Sequence, residues 1–181
     1  MQSDGARMTE FDQRTSLHRL LDRQDILDCV YRYARGVDRH DRELILSAYH
    51  GNAVHTRGDF SGSPEEFADW VHARHTGRSR RQQHHITNHT IDFSGPDVAY
   101  GETYYIATAV QESGSHVVVV CGRYIDRFER RDAGWRIAER VVVREWHSTS
   151  PVDELIETLT ESTAITWDRS DISYRRPLET G

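Results

Sequence analysis

Gln82-Gln83-His84-His85-Ile86-Thr87-Asn88-His89-Thr90-Ile91-Asp92-Phe93 is the stretch whose reading decides the fold. It reads as a β-strand, closed by the turn Ser94-Gly95-Pro96-Asp97. It carries a histidine, His84, where an apolar residue would be the cheaper choice. Three more strands follow: Val98 to Val110, His116 to Glu129 and Trp135 to Trp146. The turns Glu112-Ser113-Gly114 and Arg131-Asp132-Ala133-Gly134 separate them. Long strands joined by tight turns predict an antiparallel meander.

Upstream the period changes. Leu17, Leu20, Leu21, Ile26, Leu27, Val30, Tyr31, Ala34 and Val37 recur at spacings of three and four. They predict one long helix, or two end to end with Asp22 or Asp25 capping the second. Asp38 falls just past its end, and Asp41 can cap a short helix carrying Leu44, Ile45 and Ala48. Gly51-Asn52 breaks that helix, and Ala53 to Thr56 is a short strand candidate. Ser63-Pro64-Glu65-Glu66 is a helix start with a capping box, followed by Phe67, Trp70 and Val71 on the inner face. Gly77 to Arg81 reads as a basic loop. Helices first and strands after predict an α+β fold. Residues 1–15 read as a flexible extension, 16–150 as the domain, and 151–181 as a short helix (Pro151 to Thr160) and a tail that is either loose or spent on an oligomer contact.

Composition narrows the function. The chain has 181 residues, 36 % hydrophobic and 29 % charged, which fits one polar globular domain. Its net charge of −6 argues against a nucleic-acid partner. No apolar run reaches membrane-spanning length, and the first fifteen residues do not form a secretory signal, so a cytoplasmic protein is expected. Every basic residue is arginine, which excludes Schiff-base and P-loop lysine chemistry. Cys29 and Cys121 are the only cysteines and read as free thiols.

Three pieces in order resemble the NTF2-like, or SnoaL-like, superfamily. Leu27-Asp28-Cys29-Val30-Tyr31 through Gly36-Val37-Asp38 resembles its first-helix signature. His84-His85-Ile86-Thr87-Asn88 resembles its H-x-x-T-N strand, and Tyr124 to Ile137 its hairpin. The resemblance implies a cone-shaped α+β barrel, with N-terminal helices packed on a strongly curved, mostly antiparallel sheet. The pattern is similar to the lyase branch of scytalone dehydratase, hexachlorocyclohexane dehydrochlorinase and bile acid 7α-dehydratase. That likeness implies a catalytic pair of Asp38 and His84 in a closed pocket, with Arg140 and Tyr33 as further catalytic candidates. Tyr49, His55, Asn88 and Tyr105 are the candidates for lining the pocket. The implied substrate is small and hydrophobic, of polyketide, steroid or aromatic type, and no cofactor or metal is called for.

The chemistry of such a pair is simple. An imidazole is a useful base near neutral pH. A carboxylate that accepts the Nδ1 proton fixes the tautomer and stabilises the imidazolium. Without a placed nucleophile, the natural reaction is C–H proton abstraction followed by loss of water or halide. A cyclase or steroid-type isomerase would use the same base, and a non-catalytic binding or subunit role is a third reading. The bland alternatives are a helix-capping Asp38, a hydrogen-bonded strand histidine at 84 and a core tyrosine at 33.

Strict alternation puts Arg140 opposite Trp135 and Ile137, so it joins their face only through a β-bulge. It also puts His84 and His85 on opposite faces and leaves His85 and His89 about 13 Å apart, which argues against a metal. The apolar run Val117 to Val120 reads as buried on both faces and suggests a homo-oligomer. The resemblance favours a trimer, with a dimer as the alternative.

Overall fold

The structure is a computed structural model that describes residues 10–152 and 166–177, with side chains from residue 14 onward. The helix expected between Pro151 and Thr160 lies largely outside the described residues; Pro151 itself ends a strand. Three helices pack on one curved, mostly antiparallel sheet, an α+β architecture.

Helix α1 (Glu10–Asp38) is a single unbroken helix. Asp22 and Asp25 lie inside it and cap nothing, and Asp38 is its last residue rather than the one beyond. Its start at Glu10 falls within the stretch expected to be an extension. Only its C-terminal half carries the expected inner face: Ile26, Val30, Tyr33 and Val37 are buried. Leu17, Leu20 and Leu21 are exposed because they lie about 120–180° round the helix from Ile26. At that level Arg19, Asp22 and Arg23 face the sheet instead, meeting Phe93, Trp135 and Ile91.

Helix α2 (Arg42–Ser47) is capped by Asp41, whose carboxylate accepts the Leu44 amide at 3.0 Å. It folds directly back on α1 because residue 36 is glycine. A Cβ there would lie 2.7 Å from Ile45 Cγ1 and 2.8 Å from Ile45 N.

Strand β1 (Tyr49–Arg57) is longer than the sequence suggested and starts where a helix was still expected. Strand β2 (Phe60–Gly62) pairs with it. Helix α3 (Pro64–His75) has the full capping box: Ser63 Oγ accepts the Glu66 amide, and the Glu66 carboxylate accepts the Ser63 amide. Phe67, Ala68 and Val71 form its buried face, while Trp70 is half-buried.

Four long strands complete the sheet: β3 (Ser79–Phe93), β4 (Val98–Gln111), β5 (His116–Arg131) and β6 (Gly134–Pro151). The basic loop shrinks accordingly, since β3 begins at Ser79. The order is β2-β1-β6-β5-β4-β3, with β1 parallel to β6 and the other pairs antiparallel. Gly95, Gly114 and Gly134 supply the positive φ values that the three turns need. Val117 to Val120 is half-buried in the single chain rather than buried on both faces.

The tail does not hang loose. Residues 166–177 fold back on the C-terminal end of α1 through a short 3₁₀ turn, Ile172–Tyr174. Arg169 and the Tyr174 hydroxyl, at 2.8 Å, both donate to the buried Asp41 carboxylate. Trp167 packs on His40 with ring centroids 4.3 Å apart. None of the described helices is long and apolar enough to cross a membrane.

Candidate active site

Two residues on the inward face of β3 stitch that strand to the end of α1. Gln82 Nε2 donates at 2.9 Å to the Val37 carbonyl, which otherwise accepts only a long 3.5 Å bond from the His40 amide at the helix end. Two residues on, Asp38 grips His84 twice. Asp38 Oδ2 accepts the His84 backbone amide at 2.8 Å, and Oδ1 accepts Nδ1–H at 2.6 Å. The side chains are 16 % and 9 % exposed, so the pair is screened but reachable. With Nδ1 carrying the proton, Nε2 is left with a free lone pair.

The space beside this pair is an open groove of about 290 Å³ between α1 and β3, not the closed pocket expected. Tyr31, Ala34, Arg35 and Asp38 line its helical wall, and His84 and Ile86 its strand wall. That wall is one helical stripe, spaced three, four and seven residues apart.

Tyr33 is not on that stripe. Five residues correspond to about 140° of helix rotation away from Asp38, so it points into the core. There it is 2 % exposed, and the Arg140 guanidinium lies 4.3 Å from its ring centre. Burial raises the Tyr33 pKa, with the Arg140 charge acting the other way.

Arg140 does face inward, for the reason the sequence made a condition. The register between β5 and β6 shifts there: Phe128 pairs with Ile137, but Arg127 pairs with Glu139. The extra residue, Ala138, is a bulge that brings Arg140 into phase with Trp135 and Ile137. Arg140 Nε and Nη2 donate to the two oxygens of Asp126, each at 2.7 Å, and both side chains are fully buried. Burial opposes the Arg140 charge, but the carboxylate more than compensates and holds it protonated. Its Nη1 is buried without a partner.

Tyr49 and His55 belong to this second, deeper cluster. Their side chains meet at 2.8 Å, and His55 stacks on Phe67 with centroids 3.6 Å apart. Tyr105 connects the two clusters. Its ring stacks on Tyr124 at 4.6 Å and stands 6.2 Å from the His84 ring, and its hydroxyl is buried without a partner. Tyr124 in turn lies 4.2 Å from Arg140.

Asn88 does not line the site; it is exposed. A bulge in β3 between Ile86 and His89 is responsible. The same bulge moves His89 to the inward side with His84, against the simple alternation that paired it with His85. Nδ1 of His89 bonds the Thr103 hydroxyl at 2.7 Å.

Three inward residues were not anticipated. Asp126 sits between Tyr124 and Phe128 on the inward face of β5, and an acid between two aromatics at alternate positions was its signal. His89 had none, because nothing in the sequence marks the bulge. His75, the last residue of α3, feels His84 electrostatically, and burial, followed by that neighbour, pushes its pKa down to about 3. No group of three or more metal-ligating side chains occurs among the described residues.

The helix order and the meander define a SnoaL-like fold. The chain belongs to the SnoaL-like domain family, whose model matches residues 18–141. Solved structures with this fold include the hexachlorocyclohexane dehydrochlorinase LinA-type3 from Novosphingobium barchaimii LL02. It is 22 % identical with a TM-score of 0.69, covering 80 % of this chain and 99 % of that one. The Kfla4162 protein from Kribbella flavida is 17 % identical, TM-score 0.64, covering 72 % and 95 %. An NTF2-like superfamily protein from Salmonella enterica serovar Typhimurium is 16 % identical, TM-score 0.62, covering 70 % and 92 %. A comparison with curated protein sequences finds no match.

Proposed function

We propose that the protein is a cofactor-independent lyase of the dehydratase type, with His84 as general base and Asp38 as its orienting partner. The observation that carries this reading is the double grip of Asp38 on His84, which fixes both the backbone and the ring. A histidine needed only for packing requires one partner at most. Here the carboxylate fixes the tautomer and leaves Nε2 basic toward the groove.

In the proposed reaction, His84 Nε2 takes a proton from a carbon beside the one bearing the leaving group. The C–H electrons form the new double bond, and the hydroxide or halide departs with the electrons of its bond to carbon. Asp38 stabilises the imidazolium meanwhile. Arg35 and Arg39, which line the groove with the pair, are the cations that can meet the departing group or a substrate carbonyl; Arg140 and Tyr105 belong to the deeper cluster. The relation to a dehydrochlorinase supports the reaction class.

The test is a panel of small hydrophobic β-hydroxy and β-halo compounds with acidic C–H bonds, read by halide release or by absorbance of the new double bond. Turnover by the wild type that vanishes in H84A supports the reading. Turnover that survives in H84A overturns it.

A further inference from the structure

A second concavity, of about 300 Å³, opens between the β1–β2 turn, the outer side of α3 and strand β6. Its chemistry differs from that of the groove beside His84. Arg57, Arg74 and Arg144 converge on it, with Trp70 and Phe60 as its apolar wall.

The topology explains the convergence. Arg57 follows His55 on the inward phase of β1, and Arg144 follows Val142 on the inward phase of β6. Arg57 pairs with Val142, so both arginines emerge at the same rim of the sheet. Trp70 and Arg74 are one turn apart on α3 and share a side. The Arg74 guanidinium lies 5.3 Å from the Trp70 ring centre and that of Arg57 5.9 Å. Gly58 supplies the positive φ of the β1–β2 turn, and its Cα side faces Arg144, whose Nη2 would lie in ordinary contact, 3.8 Å, from a Cβ placed there.

Three cations share this space with one carboxylate, Asp59, and among the described residues none of the three stands within ion-pair distance of an acid. Arg42, Arg123, Arg130, Arg140 and Arg169 all hold carboxylates. Acid is not scarce, with 29 Asp and Glu against 23 basic residues. The Arg74 guanidinium is pushed below its ordinary range by burial and by the charges of Arg78, Arg57 and Arg144. Gathering like charges costs free energy unless an anion offsets it. Guanidinium groups match the planar geometry of carboxylate and phosphate oxygens. The volume is at the lower end of the roughly 300–1,000 Å³ of small-molecule pockets.

We propose that Arg57, Arg74, Arg144, Trp70 and Phe60 form a binding site for an oxyanion, carboxylate or phosphate, carried on a flat apolar body. The arginines hold the oxyanion and the aromatic wall takes the body. This site does not depend on the elimination reading.

Phenyl phosphate is the probe, with benzoate and inorganic phosphate for comparison, measured by titration calorimetry and tryptophan fluorescence on the full chain. The wild type is expected to bind phenyl phosphate saturably, more tightly than inorganic phosphate, and less tightly as salt rises. R74Q and R144Q, both surface changes, should each weaken binding about tenfold or more, whereas R136Q, outside the pocket, should not. W70L should erase the preference for phenyl phosphate over inorganic phosphate. Whether benzoate or phenyl phosphate binds better identifies the oxyanion. No saturable binding by the wild type at millimolar probe, or undiminished binding in the folded R74Q/R144Q double variant, overturns the proposal.

Discussion

Asp38 binds the same residue, His84, at two points: its backbone amide at 2.8 Å and its ring Nδ1 at 2.6 Å. One carboxylate thus anchors the end of α1 to β3 and orients the imidazole ring. Because Oδ2 holds the amide, the carboxylate cannot swing away from the ring without losing a second bond. The ring is positioned by the sheet as much as by its own partner.

Asp38→Asn separates the two jobs. An amide offers one acceptor and one donor, so the backbone bond survives while the ring is pushed toward the wrong tautomer. The expected result is a loss on the order of 10³–10⁴ in kcat with a stability cost of about 1 kcal/mol. Turnover of a substrate found in the panel, together with urea denaturation, reads both. A kcat within a few-fold of wild type would remove Asp38 from the mechanism.

The Arg140–Asp126 pair should behave differently. Both groups are fully buried, so removing one strands the other without solvent. R140A or D126A is expected to cost about 3–5 kcal/mol in chemical denaturation. The apolar double variant R140M/D126L should recover much of that loss in stability. Turnover of that folded double variant tests whether the buried pair matters to the reaction other than through stability, since Arg140 does not line the groove.

The fold was legible wherever a local rule had no competitor. The three glycine-containing turns fixed the meander, and the Ser63 capping box fixed the start of α3. The sequence could also state the condition for Arg140, a bulge, but could not locate it, because Ala138 carries no mark. The second bulge, near Asn88, misled in the opposite direction and exchanged Asn88 for His89. Tyr33 was a candidate through the resemblance to the lyase branch, although helix geometry already separates it from Asp38 by about 140°. Leu17, Leu20 and Leu21 show the limit of spacing read piecewise: they are three and four apart among themselves, but about 120–180° round the helix from Ile26, on the face turned away from the sheet. The tail was illegible because its partners, Arg39, His40 and Asp41, are distant in sequence.

Tyr174→Phe tests how that tail is held. The change removes the hydroxyl that donates to Asp41 Oδ2 at 2.8 Å, where Asp41 is 5 % exposed. A cost of about 1 kcal/mol is expected. Hydrogen exchange should quicken at the amides of Ile172–Tyr174 and stay unchanged in the middle of α1. Quickening across the whole chain would mean that the tail is part of the global folding unit.

The interior histidines set the acid limit of stability. His55 titrates at about 2, because burial and then the Arg140 and Arg57 charges disfavour its imidazolium. His75 is pushed down to about 3 by burial, then by His84 and Arg57, with His40 and His72 adding to it. His40 falls to about 4 through burial and His72, while Asp38 pulls the other way. In the unfolded chain these groups titrate near about 6.5, so below that pH the unfolded state binds more protons than the folded one. Stability is therefore complete above about pH 7 and declines as pH falls from about 6.5 toward the folded values. For fully buried His55 alone the loss at about pH 5 is about 2 kcal/mol; the more exposed rings contribute less. Urea midpoints at about pH 7.5 and about pH 5 measure the decline. His55→Phe keeps a ring against Phe67 but cannot be protonated, so it should flatten the slope whatever it does to stability at neutral pH. A slope as steep in H55F as in the wild type would show that His55 is not among the groups that titrate on unfolding.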